Sequence, residues 1–316
     1  MEIKYILVFS LSIVLTFLMM KVAKKFNIVD KPDKILKQHE KATPYLGGVA
    51  ILLSFSLFVD HGFYFLLFSS IITLLGVIDD IKGISALFRF ISEFIISFFT
   101  AYYILDYSNI ILTLFLAFVG VSMINSFNMI DGMDGLSSGL AMISLMIFYY
   151  FLGFQSIIII ILAILGFYFY NYPPAKIFLG DGGSYLIGFI LYYYILLMTN
   201  NFGYGGFFVS LVILGFFLTD LVWAFIRRIL NSGKVFEGDK DHIYDKARVF
   251  FKNDKRILTL MYLINIVFGL FSVITWNFKY FGVIISLIAF ILIGYLFKLY
   301  KKTWKEVFLI GFFKRP

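Results

Sequence analysis

Residues 125–136 place two amides and two carboxylates at short intervals in a chain that is otherwise almost wholly apolar. The stretch reads Asn-Ser-Phe-Asn-Met-Ile-Asp-Gly-Met-Asp-Gly-Leu, with Asn125, Asn128 and Asp131 at near-helical spacing. Ionisable side chains between hydrophobic spans are costly, which indicates that Asp131 and Asp134 have a partner. The glycines beside them would let a ligand approach the backbone closely. These residue types predict a polar ligand that carries a metal or a diphosphate.

The composition indicates a membrane protein. Hydrophobic residues make up 61% of the 316 residues and charged residues only 15%, which lies well outside the range of soluble domains. There is no Cys, so disulfides, thiol nucleophiles and Cys-ligated zinc are excluded. The first apolar run, residues 5–20, lacks a small-residue cleavage site and runs into lysines. We therefore expect a retained anchor and not a signal peptide.

Apolar segments recur along the whole chain at lengths that suit a bilayer, for which about 17 to 20 residues are needed. The candidates lie near residues 4–22, 46–59, 63–78, 89–105, 108–124, 135–152, 155–170, 184–198, 206–226, 257–276 and 280–297. No polar segment is long enough for a separate soluble domain. We predict an all-α, polytopic integral membrane protein of about 10–11 transmembrane helices, with one domain over residues 1–316.

The basic residues predict the orientation of these spans. With the N-terminus outside and the C-terminus cytoplasmic, only Lys4 and Lys279 of the 27 Lys and Arg fall on the outer side. This asymmetry follows the positive-inside rule. The net charge of +8 is therefore a charge of the cytoplasmic face, where it suits anionic lipid headgroups and a phosphorylated substrate. The cytoplasmic loops of this topology lie near 23–45, 79–88, 125–134, 171–183 and 227–256.

The same topology gathers chemically active side chains on the cytoplasmic side. Carboxylates brought together repel one another, and such a cluster is tolerable if a divalent cation and basic groups neutralise it. Oxygen ligands without Cys favour Mg²⁺ or Mn²⁺ over zinc. The side chains that follow or end the third, fifth, seventh and ninth spans are Asp79, Asp80, Asp131, Asp134, Asp181 and His242.

Each of these features also has a simpler interpretation. Asp79 and Asp80 could mark a helix end in water, and residues 180–184 could form an ordinary turn that caps the next helix. His242 could be a surface histidine. Glu93, within the fourth span, could be a satisfied interior carboxylate or a proton or ion site.

A set of motifs follows in a fixed order along nearly the whole chain. They are Val-Asp-Lys-Pro at 29–32 with Lys37 and His39, Leu-Gly-Gly at 46–48, Asp79-Asp80 followed by Arg89, the stretch 125–136, Gly-Asp-Gly-Gly-Ser at 180–184, and Asp220, Arg227-Arg228 and Asp239 to His242. This set resembles the polyprenyl-phosphate N-acetylhexosamine-1-phosphate transferases, glycosyltransferase family 4. The family includes the bacterial enzymes that start O-antigen and teichoic acid linkage units. Phospho-N-acetylmuramoyl-pentapeptide transferase of peptidoglycan synthesis is a more distant relative.

Two positions depart from the family's pattern. Where its histidine loop commonly reads His-x-His-His, residues 242–245 read His-Ile-Tyr-Asp. Where it has Pro-Arg-Leu-Gly-Gly, residues 44–48 read Pro-Tyr-Leu-Gly-Gly. Both departures bear on the sugar and the subgroup more than on the reaction.

The resemblance implies attack by a phosphate oxygen of polyprenyl (undecaprenyl) phosphate on the β-phosphorus of a UDP-N-acetylhexosamine, most simply UDP-GlcNAc. The products would be a polyprenyl-diphospho-sugar and UMP, in the first membrane step of a cell-envelope polysaccharide such as lipopolysaccharide or teichoic acid. Mg²⁺ is the implied cofactor, with Mn²⁺ as an alternative, and Asp181 and Asn128 are its implied ligands. The implied catalytic residues are Asp79, Asp80 and Asp181. The implied substrate-binding residues are Lys37, His39, Arg89, Asn125, Asn128, Asp131, Asp134 and His242.

The expected partners are these two substrates and the lipid bilayer, without nucleic acid, and a homodimer is left open. The expected cellular location is the cell membrane, with the active site on the cytoplasmic face. Phospho-N-acetylmuramoyl-pentapeptide transferase activity is one alternative. A transporter is another, although transporters place coordinating groups near the bilayer midplane, often in paired repeats, and no repeat is found here. A CDP-alcohol phosphotransferase also carries Asp-Gly motifs, but its Ala-Arg continuation does not follow Asp131-Gly132.

Overall fold

The computed structural model describes residues 2–30, 42–105, 109–231, 241–278 and 280–301. Within these ranges the chain is helical apart from short connections and one pair of two-residue strands. The chain divides into two compact units, Met1–Ser210 and Leu211–Pro316. The single domain expected over residues 1–316 stays a prediction.

Helices build the first unit because apolar runs of this length satisfy their backbone groups internally. In the described part of this unit they are α1 (Glu2–Lys25), α2 (Gly47–Ser56), α3 (Gly62–Lys82), α4 (Ala86–Ile104), α5 (Ile110–Ile130), α6 (Leu136–Leu152), α7 (Gln155–Asn171) and α8 (Asp181–Ile213), the last of which ends just inside the second unit. Strand β1 (Val29–Asp30) pairs antiparallel with β2 (Thr43–Pro44). Helix α1 packs on α2 and α7, α4 on α3 and α5, and α6 on α7.

Helix α8 forms the centre of the first unit. Its aromatic side chains Tyr185, Phe189, Tyr192 and Tyr194 are all fully buried. The surrounding helices instead carry large apolar side chains on their outer surfaces, such as Ile111 of α5, which is 77% exposed. An apolar outer surface is expected where helices face lipid.

The second unit is also helical in its described residues. Its helices are α9 (Gly215–Asn231), α10 (Ile243–Ala247), α11 (Asp254–Phe278) and α12 (Tyr280–Leu296). Helix α11 packs on α9, α10 and α12, and α12 also packs on α9. The buried guanidinium of Arg227 donates from Nη1 to the carbonyl of Leu299 at 2.8 Å.

The helices confirm the predicted class of an all-α, polytopic membrane protein. Among the described residues, α1, α3, α4, α5, α8 and α11 are long and apolar enough to cross a membrane. Four shorter apolar helices of 10–17 residues, α2, α6, α7 and α12, account for other predicted spans. The orientation of the termini stays a prediction.

The chain turns within the predicted loop between residues 198 and 206, whereas the span predicted after that loop is interrupted. Within the range of α8 the chain turns sharply at Gly203, where φ is 60° and ψ is −147°, so two helical stretches meet inside the loop expected between residues 198 and 206. The helical turns then stop at Ile213 and resume as α9 at Gly215, so the expected span 206–226 is interrupted. Glycine adopts positive φ without the steric cost of a side chain, which is why the bend falls at this residue.

His61, which precedes α3, lies among aromatic rings. Its Nε2 is 2.8 Å from the hydroxyl oxygen of Tyr194, and the rings of Phe65 and Tyr193 are centred 5.0 and 5.1 Å from its own. Burial lowers the pKa of His61 to about 4, against the opposing effect of Asp60.

Mild acid is expected to destabilise the fold through His61. The folded state binds fewer protons at this side chain than the unfolded state between pH about 6.5 and about 4, so the free energy of unfolding falls as the pH drops through that window. His61→Gln keeps a hydrogen-bonding group but cannot titrate. The melting temperature in detergent should therefore fall less for this variant than for the wild type between pH about 7 and about 5. Equal losses in both proteins would contradict the prediction.

Candidate active site

Glycines let the N-terminal end of α8 lie against α2 and α3. A Cβ atom on Gly48 would lie 2.2 Å from the backbone of α8, and one on Gly76 would lie 2.4 Å from the carbonyl oxygen of Asp181. No side chain fits at such distances, so only glycine allows these backbones to touch. The contact places the end of α3, which carries Asp79 and Asp80, beside Asp181.

Backbone hydrogen bonds hold the segment that leads into α8. The N–H of Phe178 donates to the carbonyl of Pro44 at 2.8 Å. Gly47 and Gly48 in turn donate to the carbonyls of Phe178 and Leu179 at 3.2 and 3.0 Å. These bonds fix the direction in which the chain enters α8 and therefore the place of its first residue.

Gly180 turns the chain into α8 with φ at 74°. A Cβ atom there would lie 2.4 Å from the carbonyl oxygen of Tyr45 and 2.7 Å from Oδ2 of Asp80. Both the conformation and the space therefore require glycine. The Tyr45 hydroxyl donates to the backbone carbonyl of Asp80 at 3.1 Å, so the residue that replaces the family's Arg lies at the site. Burial and the nearby charges of Asp80 and Asp181 raise the pKa of Tyr45.

Asp79 has partners at both carboxylate oxygens. The backbone N–H of Ile84 donates to Oδ1 at 2.8 Å. The hydroxyl of Tyr185 donates to Oδ2 at 2.6 Å, and Nη1 of Arg89 lies 3.5 Å from the same oxygen. This carboxylate is held in place by its own protein surroundings.

Asp80 and Asp181 are less occupied. Oδ2 of Asp80 accepts the backbone N–H of Gly182 at 3.3 Å. Asp181, the first residue of α8, has no side-chain hydrogen bond among the described residues. Its carboxylate interacts electrostatically with those of Asp79 and Asp80 and with Arg89. A partly exposed carboxylate without a partner, in an acidic cluster, is open to a cation.

Asn128 connects the end of α5 to the start of α8. Its Oδ1 accepts the hydroxyl of Ser184 at 2.7 Å, and this hydroxyl also lies 3.2 Å from the carbonyl of Asp181. The family resemblance implies Asn128 and Asp181 as the ligands of Mg²⁺, and Ser184 therefore joins the two segments on which they lie.

Asp131 and Asp134 belong to the short connection between α5 and α6. Asp131 accepts the hydroxyl of Ser137, and Oδ2 of Asp134 accepts the backbone N–H of Ala175 at 2.8 Å. Burial raises the pKa of Asp131 to about 7; the Ser137 hydrogen bond opposes this shift, and the charges of Asp181 and Asp134 add to it. Asp131 thus belongs to the same acidic cluster, whereas Asp134 also supports the loop before α8.

Asn171 fastens these two loops together. Its Oδ1 accepts the N–H of Gly135 and the hydroxyl of Ser138, both at 3.0 Å. Its Nδ2 donates to the carbonyl of Ile177 at 3.0 Å. The double Asp-Gly motif and the Gly-Asp motif are therefore held in one arrangement by a buried amide that the sequence did not single out.

Asn125 is paired inside the helix bundle. Its Nδ2 donates to Oε2 of Glu93 and to the carbonyl of Val121, which lies 3.0 Å away. Glu93 is fully buried in α4, and its Oε1 has no hydrogen-bond partner among the described residues. Both amide hydrogens of Asn125 have acceptors, so only its Oδ1 can serve a ligand.

The second unit contains a buried histidine–carboxylate pair. Nδ1 of His242 lies 2.5 Å from Oδ2 of Asp220, whose Oδ1 accepts the N–H of Ile243 at 2.8 Å. Tyr244 stacks on the histidine ring with centroids 5.8 Å apart. Asp245 accepts the N–H of His242 at 3.4 Å, and burial raises its pKa to about 6. Tyr244 and Asp245, which stand where the family commonly has its later histidines, thus both contact His242.

The predicted site residues fall into three groups. In the first unit Asp79, Asp80, Asp131 and Asp181 form one electrostatic cluster, and Arg89, Asn125, Asn128 and Asp134 lie on the same or adjoining segments. His242 lies in the second unit. Lys37 and His39 lie outside the described residues. Residues at the site that the sequence did not single out are Ser137, Asn171 and Tyr185.

Comparison with known proteins decides the family. Residues 62–199 match glycosyl transferase family 4. Undecaprenyl-phosphate alpha-N-acetylglucosaminyl 1-phosphate transferase of Thermotoga maritima is 31% identical over 260 residues, which cover 81% of this chain and 84% of that protein. The chain belongs to glycosyl transferase family 4. The family predicted from the motifs is confirmed, and with it the prediction that the protein is a transferase.

Two further relatives of this family 4 member carry similar names. The probable undecaprenyl-phosphate N-acetylglucosaminyl 1-phosphate transferase of Bacillus subtilis is 30% identical over 294 residues, 83% of this chain and 81% of that protein. Decaprenyl-phosphate N-acetylglucosaminephosphotransferase of Mycobacterium leprae is 30% identical over 302 residues, 76% and 75% of the two chains. The region matched to the family contains the whole acidic cluster of the first unit.

Proposed function

We propose that this transferase moves N-acetylglucosamine 1-phosphate from UDP-GlcNAc to a polyprenyl phosphate, with undecaprenyl phosphate as the acceptor. The observation that carries the proposal is the meeting of Asp79, Asp80, Asp181 and Arg89 where α3, α4 and α8 come together. The names of the relatives support the transferred group and the lipid acceptor. In this reaction an oxygen of the lipid phosphate bonds to the β-phosphorus, the bond from that phosphorus to the bridging oxygen breaks, and UMP leaves.

Charge neutralisation and alignment are the main tasks in a reaction between two anions. The first backbone N–H groups of α8 already have acceptors, because Gly182 donates to Oδ2 of Asp80 and both Gly183 and Ser184 donate to the carbonyl of Gly180. Arg89 offers a guanidinium, which suits phosphoryl oxygens in a two-pronged geometry. We assign Asp80 to orienting the lipid phosphate or accepting its proton.

Mg²⁺ fits the donor set at Asp181. This carboxylate lacks a hydrogen-bond partner in the described part of the chain, and Mg²⁺ is commonly bound by one or two carboxylates together with substrate phosphates and water. No group of three His, Cys, Asp or Glu among the described residues could hold a metal ion, so the substrate would complete the coordination. We propose Asp181 and Asn128 as ligands; the bound ion would neutralise charge on the diphosphate.

The remaining predicted residues have roles in binding the donor. We assign Asn125, Asp131 and Asp134 to the nucleotide-sugar pocket, with Asn125 acting as an acceptor because its amide hydrogens are already used. Lys37, His39 and His242 stay predicted contacts of the substrate phosphates.

UDP-sugars are water-soluble and the polyprenyl tail is not, so a site at the ends of spans on the cytoplasmic face suits both substrates. The basic-residue asymmetry supports that face.

UMP release tests the proposal. Purified protein in detergent is incubated with undecaprenyl phosphate, Mg²⁺ and one of UDP-GlcNAc, UDP-GalNAc or UDP-N-acetylmuramoyl-pentapeptide. We expect UMP and a lipid-linked sugar with UDP-GlcNAc, and none when the lipid or Mg²⁺ is left out. Release only from the pentapeptide donor would indicate the peptidoglycan enzyme. No release from any donor, together with solute flux in proteoliposomes, would favour a transporter.

A further inference from the structure

Tyr185 lies one residue beyond the Gly-Asp-Gly-Gly-Ser motif and looks in sequence like an ordinary core aromatic. In the structure it is fully buried in α8, and its hydroxyl donates to Oδ2 of Asp79 at 2.6 Å. A buried phenol usually bonds through its hydroxyl, and a hydrogen bond to a charged acceptor is among the stronger ones. The polar end of Tyr185 is therefore directed at a predicted catalytic carboxylate.

This hydrogen bond divides the roles of the two adjacent aspartates. Asp79 has three donors around it, from Ile84, Tyr185 and Arg89. Asp80 accepts the backbone N–H groups of Asp181 and Gly182, the latter at 3.3 Å, which is at the far end of the normal range. Asp79, with a tyrosine and an arginine beside one of its oxygens, is poorly suited to take up a further proton or a cation, whereas Asp80 has only backbone donors among the described residues.

Arg89 is held from one side only. Its Nη1 lies 3.4 Å from the Tyr185 hydroxyl and 3.5 Å from Oδ2 of Asp79. Its Nε and Nη2 donors have no partner among the described residues, and its side chain is 30% exposed. A guanidinium has five N–H donors in a rigid plane, so fixing one nitrogen also fixes the direction of the other two.

We propose that Tyr185 is a positioning residue that, together with Asp79, holds Arg89 so that its free N–H groups bind a phosphoryl group of the substrate. Asp79 then belongs to this support and does not act as the base or the metal ligand. The inference rests on the proposed function, because it names what orients the phosphate-binding group of that same site.

Tyr192 provides a matched control on the same helix. It is also fully buried, and its hydroxyl donates to the carbonyl of Ser97 at 2.8 Å, away from the acidic cluster. Tyr185→Phe and Tyr192→Phe each remove one buried hydroxyl donor. We expect Tyr185→Phe to lower kcat/KM for UMP release by about tenfold, and Tyr192→Phe to stay within about twofold of wild type.

A double mutant separates positioning from a general loss of packing. In an Arg89→Lys background the lysine cannot make the same planar contacts, so adding Tyr185→Phe should cost less than about twofold. Conversely, a role in packing alone would give the same tenfold loss in both backgrounds and would overturn the proposal. Melting temperatures of the two phenylalanine variants should fall by similar amounts.

Binding of inorganic pyrophosphate gives a readout without turnover. Pyrophosphate should raise the melting temperature of the wild type and of Tyr192→Phe, because a ligand of the folded state stabilises it. For Tyr185→Phe and Arg89→Lys the apparent Kd should increase about tenfold. If the wild type released no UMP, the proposed function would be wrong, but pyrophosphate binding would still test whether Tyr185 positions Arg89. Equal pyrophosphate binding by both phenylalanine variants would overturn the inference.

Discussion

Replacing Asp181 by Asn is expected to lower kcat for UMP release by at least about a thousandfold, since metal-ion stabilisation of developing charge is worth several kcal/mol. The amide keeps the shape of the side chain but removes the charge that would bind the cation. Raising the Mg²⁺ concentration should restore little activity, because Asp79 is already held by other donors. Steady-state UMP release over a range of Mg²⁺ concentrations measures this effect.

The same variant is expected to remain folded. The negative charge of Asp181 stabilises α8 only modestly through the helix dipole, and its removal relieves electrostatic repulsion from Asp79 and Asp80. The melting temperature should therefore stay close to that of the wild type. Asp60→Asn, at an exposed position in the connection before α3, serves as the control and should retain full activity. Retention of more than about a tenth of the activity by Asp181→Asn would exclude it as the main ligand.

The acidic cluster could be predicted because its members lie at helix ends. Each of the four carboxylates, Asp79, Asp80, Asp131 and Asp181, lies at or near the end of an apolar run. In a chain that crosses a membrane repeatedly, every such end lies at one of the two membrane faces. Counting spans and basic residues along the sequence is therefore enough to group these four carboxylates. Hydropathy locates the helices for the same reason, since length and apolar content alone define a span.

Partners inside the bundle could not be predicted in this way. Tyr185 and Asp79 are 106 positions apart, and a tyrosine within an apolar helix gives no sign of which carboxylate it meets. The sequence likewise indicated Asn125 as a ligand group without showing that Glu93 uses its amide hydrogens. Such pairings depend on how helices rotate about their axes, which apolarity on all sides does not specify.

The bend at Gly203 shows a related limit. Hydropathy marked a loop after residue 198, and the chain does turn there, but it does so at the single non-helical residue Gly203. Gly206 then approaches the carbonyl of Met198 so closely that a Cβ atom would lie 2.0 Å from it. Backbone contacts of this kind leave no periodic signal, because the residue that permits them has no side chain.

Gly76→Ala is expected to lower kcat by about a hundredfold, the effect that a misplacement of about 1 Å can have on aligned groups. Gly76 lies one turn before Asp79 and Asp80 on α3, and the added methyl group would meet the carbonyl of Asp181 at 2.4 Å. Helices α3 and α8 must then separate, which moves the carboxylates of one helix away from that of the other. UMP release by purified protein that elutes as a single folded species measures the effect.

Gly205→Ala is the matched control for this glycine. A Cβ atom at Gly205 has no neighbour within 4 Å, and the residue is helical, so alanine should leave activity unchanged and stabilise α8 by about 0.5–1 kcal/mol. Both variants add one methyl group to a helical glycine, but only the methyl group of Gly76→Ala meets another atom within 4 Å. Equal activity of the two variants would mean that the α3–α8 contact does not set the distance between the aspartates. If Gly76→Ala is a hundredfold less active than Gly205→Ala, the close contact of α3 and α8 at Gly76 sets the distance between the catalytic carboxylates.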